Sequence, residues 1–285
     1  MEIIRTVAAL RERLKDQTNI SFVPTMGNLH AGHIHLAEIA KQHGKCVVVS
    51  IFVNPLQFGP NEDFASYPRT LQEDCAKLEA TGVDVVFAPF ETEMYPDYDA
   101  ENRSTGQTMI VTPPPIANEL CGASRPGHFD GVATVVLKLF NLVKPQVAIF
   151  GKKDFQQLFI IRELVRQMNL DITIMGSDTV REENGLAMSS RNGYLSASER
   201  MEAPRLHKTL KQVVESAKKG QLDYPTIEAQ TTQYLTQLGW IVDYVSIRSA
   251  LTLMLAQPAD KALVVLAAAR LGRTRLIDNI EFSIE

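Results

Sequence analysis

Two histidines spaced as HxGH, His30 and His33, stand where an apolar run ends at Val23 and an amphipathic helical pattern begins near His33, within VPTMGNLHAGHIHLAEIA. A strand that passes through a short glycine-containing turn into a helix offers free N–H groups and partial positive charge, which suits a phosphate at the carboxyl edge of an open α/β sheet. Gly27 and Gly32 permit close backbone approach there. Two imidazoles beside an α-phosphate stabilise the charge that builds during in-line attack and need not be nucleophiles. The same residues also serve a plain turn, in which His30 caps and His33 opens the helix. Zinc fits less well: HExxH and an i, i+4 histidine pair are absent from this stretch and no third ligand stands out.

A second cluster, FGKKDFQQL, follows the apolar run Val147 to Phe150 and also opens a helical pattern, so Gly151, Lys153 and Asp154 belong on the same rim. Lys153 neutralises phosphate as a point charge, whereas Asp154 either joins it or caps the helix. Lys152 also reads as a solvated surface charge. In the third cluster, REENGLAMSSRNGYL, Ser189 and Ser190 supply hydroxyl donors and Arg191 a charged fork. Such groups clamp departing pyrophosphate under a mobile loop, or form an ordinary polar turn. Gln57, in IFVNPLQFGPNEDF, and Gln157 are neutral donor–acceptors suited to a small hydroxy acid, because amides bind its oxygens without a carboxylate's repulsion. Either one alone also reads as a surface glutamine.

In the frame that must hold these residues, Ile20 to Val23, Cys46 to Val53, Val83 to Ala88, Val147 to Phe150 and Ile172 to Met175 read as strands. Helical patterns fill the gaps at His33 to His43, Thr70 to Glu79, Asp130 to Val143 and Asp154 to Met168, with Gly44 and Gly82 as stops. The near-continuous apolar VVVSIFV suits a strand covered on both faces. This alternation predicts an α/β fold, a Rossmann-like parallel sheet with helices on both faces over residues 1–176. Phe90 to Gly127, polar and carrying Pro113-Pro114-Pro115, reads as an insertion. Beyond Asp178 the pattern becomes two helices followed by strands near Trp240 to Arg248, Ala262 to Ala269 and Arg275 to Ser283, a smaller C-terminal α+β domain over 177–285. Ser196 and Glu199 have capping-box spacing at the start of its first helix.

With 285 residues, 45% apolar and 22% charged, the chain can bury two cores, and its net charge of -4 argues against nucleic acid as a partner. Cys46, Cys75 and Cys121 lie far apart without a CxxC pair, consistent with a reducing cytoplasm. Met1 to Lys15 has helical spacing with interspersed charges and lacks a signal peptide's apolar core. No run approaches the roughly 20 apolar residues of a membrane span.

Taken in order, PTMGNLHAGH, VSIFVNPLQF, YPRTLQEDC, GASRPGHFDGV, GKKDFQQL and LAMSSRNGYL resemble the pantothenate synthetase (pantoate–β-alanine ligase) family along the whole chain. HxGH alone is shared with the wider nucleotidyltransferase and class I aminoacyl-tRNA synthetase group. The resemblance implies a Rossmann-like domain with a C-terminal lid, a cytoplasmic homodimer, and magnesium-requiring, ATP-dependent condensation of pantoate with β-alanine. It implies catalytic roles for His33, His30 and Lys153. Nucleotide contacts would come from Met26, Gly27, Asn28, Leu29, His30, Ala31, Gly32 and His33, from Gly151, Lys152, Lys153 and Asp154, and from Val180, Met188, Ser189, Ser190 and Arg191. Gln57 and Gln157 would hold pantoate, Gln57 would also receive β-alanine, and Asn54 would lie within reach of the reacting groups. No protein ligand of magnesium is identified. One position departs from the pattern: the family usually has Gly-Glu-Lys-Asp where this chain has Gly151-Lys152-Lys153-Asp154. A backbone contact from residue 152 survives that exchange; a side-chain role for glutamate does not.

The implied route has two steps, attack of the pantoate carboxylate on the ATP α-phosphorus and attack of the β-alanine amine on the resulting acyl-adenylate. ATP drives an otherwise uphill amide bond, and enclosure protects the mixed anhydride from water. Cys46 sits within an apolar strand pattern and gives a thioester route no support. The alternatives are another HxGH nucleotidyltransferase, which needs extra Arg or Lys for a phosphorylated acceptor, and a non-catalytic nucleotide-binding module. A nicotinamide oxidoreductase would need GxGxxG after the first strand, and PTMGNLHAGH does not supply it.

Overall fold

The computed structural model describes residues 1–60, 62–102, 104–220 and 223–284. Its N-terminal part runs β1 (Glu2–Ile4), α1 (Val7–Leu14), β2 (Ile20–Thr25), α2 (Ala31–His43), β3 (Cys46–Ile51), α3 (Leu71–Thr81), β4 (Val85–Phe87), α4 (Glu91–Met94), α5 (His128–Val143), β5 (Val147–Gly151), α6 (Phe155–Gln167) and β6 (Thr173–Ser177). These strands form a parallel sheet in the order β1-β4-β3-β2-β5-β6. From β2 the chain builds outward through β3 and β4, then returns to place β5 on the other side of β2. The crevice above β2 and β5 is therefore the topological switch point, where ligands of open α/β sheets bind.

Side chains alternate across a strand, so a sheet covered on both faces needs apolar residues at every position. Val47 and Val49 pack with Val86 and Ile149 against Ala37 and Ala40 of α2 and Cys75 and Leu78 of α3. Cys46 and Val48 face the other way, with Phe22, Phe87 and Phe150, against α1, α5 and α6. Gly82 ends α3 in the left-handed region at φ 82°, with its N–H directed to the Leu78 and Glu79 carbonyls. Gly44 ends α2 for a different reason: its φ is -143°, and a Cβ there would lie 2.5 Å from Ser21 Oγ.

The N-terminal residues depart from the helical expectation. Glu2–Ile4 form an edge strand on β4 before the helix begins at Val7, a pairing of three residues too short to show a period. The insertion after Phe90 holds the single turn α4, a bridge between Asp99 and Ser104, and a 3₁₀ turn at Pro115–Asn118.

After β6 come α7 (Ala197–Glu202), α8 (Arg205–Lys218), α9 (Tyr224–Gln237), β7 (Ile241–Ser249), β8 (Ala262–Leu271) and β9 (Thr274–Ser283). Among the described residues three helices stand where the sequence pattern predicts two, because Pro204 separates α7 from α8. The Ser196–Glu199 capping box is formed. The three strands make an antiparallel sheet in sequence order. One face, including Val245, Ile247, Val265 and Phe282, packs on α8 and α9. Val264, Leu266 and Tyr244 on the other face meet Ile116, Leu120 and Phe155 of the N-terminal part, which seats the small sheet beside the switch point.

Candidate active site

The Met26–His33 turn takes its shape from a carboxylate on a neighbouring helix. Gly27 and Asn28 have φ of 85° and 51°, a left-handed pair that turns the next N–H groups inward. Asp74, fully buried in the first turn of α3, accepts from the Asn28 and Leu29 N–H groups at 2.8 Å each, and Thr70 Oγ1 donates to it at 3.1 Å. Lys77 Nζ closes the other side by donating to the Leu29 carbonyl at 2.7 Å. Sequence reading does not single out Asp74, although a signal exists: it shares the α3 stripe of Leu71, Cys75 and Leu78, where a charge has no place unless it is paired.

His30 caps α2, and His33 is the third residue of that helix, so the two form a reciprocal capping box. The helix starts at Ala31, two residues earlier than the pattern predicts. His30 Nδ1 accepts from the Gly32 N–H at 3.2 Å, and His33 Nδ1 accepts from the His30 N–H at 3.3 Å. A backbone N–H can only donate, so both Nδ1 atoms are unprotonated and each neutral ring carries its hydrogen on Nε2. Burial lowers His30 to about 4, helped by the Lys153 charge. Burial lowers His33 to about 3, helped by His30 and then Lys153. The cap and the catalytic reading are therefore not rivals. The helix start holds two rings, 4.1 Å apart, as neutral Nε2–H donors at neutral pH.

From the end of β5, Gly151 leads into a 3₁₀ turn over Lys152–Asp154 and then α6. Lys153 Nζ lies 3.5 Å from Asp154 Oδ2, and both line the cleft with Gln157. Burial raises the Asp154 carboxyl, and Lys153 together with Arg191 outweighs this to leave it below its usual value. Lys152 turns away and pairs with Asp178 and Glu281 at 2.8 Å each. Its carbonyl and that of Lys153 accept from Asn279 Nδ2 at 2.9 and 2.8 Å.

Met188 to Arg191 form the third side. Ser190 Oγ donates to the Asn28 carbonyl at 3.2 Å, Ser189 Oγ accepts from the Arg191 N–H, and the Arg191 guanidinium lies 3.0 Å from Asp63. Buried Asn192 ties the segment to the Ala187 carbonyl at 3.0 Å and to Glu182 at 3.2 Å. These bonds distinguish it from a free polar turn.

The fourth side is made by the Pro55–Gln57 turn after β3 and by α5. Gln57 and Gln157 line one cavity of about 230 Å³ together with Asn54, Met26, His30, Gly32, His33, Gly151, Val180 and Ser189. Phe52, Val132, Val135, Val136 and Leu139 give it an apolar wall. Among the described residues its flanking cations are Lys153 and Arg191, and no other Arg or Lys lines it. Asn28, Leu29 and Ala31 face a shallower open depression that shares His30 and Met188 to Ser190. Gly27 lies inside the turn against Ile51 and Asp74.

A second cavity of about 440 Å³ opens between the domains and shares Lys153, Asp154, Gln157, Ser189 and Arg191 with the first. At its edge sits a buried group that sequence reading also misses. Arg125 pairs with both Glu62 oxygens at 2.6 Å, and its guanidinium donates to His128 Nε2 at 2.9 Å. His128 Nδ1 in turn donates to the Gln57 carbonyl at 2.8 Å. Burial, then Arg125, lowers His128 to about 4, so it stays neutral and fixes the backbone of the Pro55–Gln57 turn.

The profile of the pantoate-beta-alanine ligase family matches residues 2–281. The chain is 66% identical over 284 residues to the pantothenate synthetase of Methylobacillus flagellatus, covering 100% of this chain and 99% of that one. Identity to the Neisseria meningitidis serogroup C pantothenate synthetase is 58%, with both chains covered in full. The crystal structure of the Thermus thermophilus pantothenate synthetase superposes with a TM-score of 0.91 at 43% identity, covering 98% of this chain and 99% of that one. The Francisella tularensis pantoate-beta-alanine ligase, crystallised with beta-gamma ATP and beta-alanine, gives 0.81 at 35%, covering 98% and 97%. Since the likeness runs through both domains and every side of the cleft, the chain belongs to the pantoate–β-alanine ligase family.

Proposed function

We propose that the switch-point cleft ligates pantoate to β-alanine at the expense of ATP, through a pantoyl-adenylate, releasing AMP and pyrophosphate. One observation carries this reading: the ends of β2 and β5 bring His30, His33 and Lys153 against the same cavity as Gln57 and Gln157. A side carrying Lys153, Arg191 and two imidazole N–H donors thereby meets an amide and apolar side, as a reaction between a triphosphate and a small hydroxy acid requires.

Pantoate held by Gln57 and Gln157 directs its carboxylate at the α-phosphorus, and pyrophosphate leaves along the Lys153 and Arg191 side. The Nε2–H donors of His30 and His33 stabilise the phosphoryl oxygens as charge builds, and Lys153 adds a full charge. The β-alanine amine then attacks the acyl carbonyl and AMP departs. Magnesium would enter with the triphosphate. Among the described residues no group of three or more His, Cys, Asp or Glu gathers to hold a metal, which suits an ion bound by phosphate oxygens, water and a single carboxylate such as Asp154. It would supply further neutralisation of phosphate charge.

The remaining family features complete the proposal: a lid divided from the nucleotide domain at 176/177, and a cytoplasmic homodimer. The three cysteines are free, as a reducing compartment would keep them, and no described helix is long and apolar enough to cross a membrane. Sedimentation at micromolar concentration tests the dimer. For the chemistry, labelled pyrophosphate should exchange into ATP when pantoate and magnesium are present and β-alanine is withheld. Exchange that depended on β-alanine would rule out a free-standing adenylation step.

A further inference from the structure

Behind the acid side of the cleft runs a line of amides whose direction is fixed at both ends. Asn54 and Tyr95 are 1% and 0% exposed. The Leu56 N–H, which can only donate, points at Asn54 Oδ1 at 3.3 Å, and the Gly131 carbonyl, which can only accept, faces Asn54 Nδ2 at 3.1 Å. The Asn54 amide therefore has a single orientation. Tyr95 OH adds a 2.6 Å hydrogen bond to the same Oδ1. The second Nδ2 hydrogen goes to Gln57 Oε1 at 3.1 Å. Two donors meet the Asn54 oxygen and two acceptors meet its nitrogen, so nothing on this side chain remains to bind a substrate.

At the far end, Gln57 Nε2 donates to Met26 Sδ at 3.2 Å, and a thioether can only accept, so both ends of the line agree. The backbone is held as firmly. A Cβ on Gly131 would stand 2.5 Å from the Leu56 carbonyl, so α5 lies flush on the turn, and His128 grips the Gln57 carbonyl.

We infer that Tyr95 and Asn54 are positioning residues that hold Gln57 as a hydrogen-bond donor, so that it reads an acceptor oxygen of the acid substrate while its own oxygen stays committed to Asn54. This deepens the acid-binding role proposed for Gln57 and rests on it. The sulfur is a weak acceptor that a substrate oxygen displaces readily.

The test compares wild type with Tyr95→Phe and Gln57→Glu. Pantoate and ATP requirements are measured separately, and pantoate is titrated against the side-chain amide ¹H–¹⁵N signals. Tyr95→Phe keeps the ring and removes the donor, and should raise the pantoate KM about three- to tenfold while leaving kcat and the ATP KM within about twofold. Gln57→Glu keeps an acceptor for Asn54 but turns a carboxylate towards the acid, and should weaken pantoate binding by about a hundredfold or more. In wild type, pantoate should shift the Gln57 amide pair, assigned by its loss in Gln57→Glu, and leave the Asn54 pair in place. Gln57→Glu binding pantoate within about threefold of wild type would show that the oxygen does the reading and overturn the proposal. So would equal rises in both KM values for Tyr95→Phe, the mark of a merely structural role. If wild type released no AMP at all, the functional reading would fall. The amide line would still be judged by slow hydrogen exchange of the Asn54 pair in wild type and its acceleration in Tyr95→Phe.

Discussion

His33 does two jobs with one ring, and replacing it separates them. His33→Ala removes the Nδ1 that accepts the His30 N–H and should cost about 0.5–2 kcal/mol of stability, as lost helix caps do. Removing its Nε2–H donor should slow adenylation on the order of 100- to 1000-fold. Thermal melting and single-turnover adenylation together check this, and a folded mutant with near-normal turnover would remove His33 from the chemistry. Lys153→Ala should suppress pyrophosphate exchange strongly while sparing amide formation from preformed adenylate, since its charge faces the phosphate side of the cleft. Lys152, its neighbour in sequence, looks across the domain junction instead.

Among the elements, the turn between β2 and α2 has the most unusual backbone and the least visible support. Asp74→Ala should release the Asn28 and Leu29 N–H groups together and raise the ATP KM more than the pantoate KM. Each buried N–H left without a partner costs about 1–3 kcal/mol, so a drop in melting temperature should accompany it. An unchanged ATP KM in the folded mutant would mean the turn holds its shape without the carboxylate. This element also marks how far sequence reading reaches. The strands from β2 onward and the gathering of the two histidines, Lys153 and both glutamines at one cleft are legible, because apolar period and turn chemistry are local properties. Asp74, Arg125, His128 and Tyr95 are not, because each acts on a turn contributed by a distant part of the chain. β1 escapes for a related reason, since it is a strand only by virtue of its pairing with β4.

For the whole molecule, three buried imidazoles set a pH limit. His30 and His128 fall to about 4 and His33 to about 3 when folded, against 6.5 for the free side chain. Between pH 6.5 and 4 the unfolded chain binds protons that the folded chain refuses, so stability is fully present above 6.5 and is lost as pH falls through that window. Melting temperatures recorded from about pH 7.5 to about 4.5 should decline below the free-histidine value, and His128→Gln should flatten the decline. A level curve would contradict neutral burial. The larger assembly also shows why the C-terminal sheet cannot be treated as a detachable cover. Asn279 on β9 holds the carbonyls of Lys152 and Lys153, and Glu281 and Asp178 both pair with Lys152 at 2.8 Å. The residues that hold the turn carrying Lys152 and Lys153 are thus split between two halves of the chain. Hybrid enzymes spliced at residue 177 would be screened by this junction: a donor half lacking an amide at 279 would leave two carbonyls ungripped, and one with a basic residue at 281 would repel Lys152. Recombination among relatives should therefore succeed when 152, 279 and 281 travel as a set, and interchange of the C-terminal half alone should produce soluble but poorly adenylating chimeras.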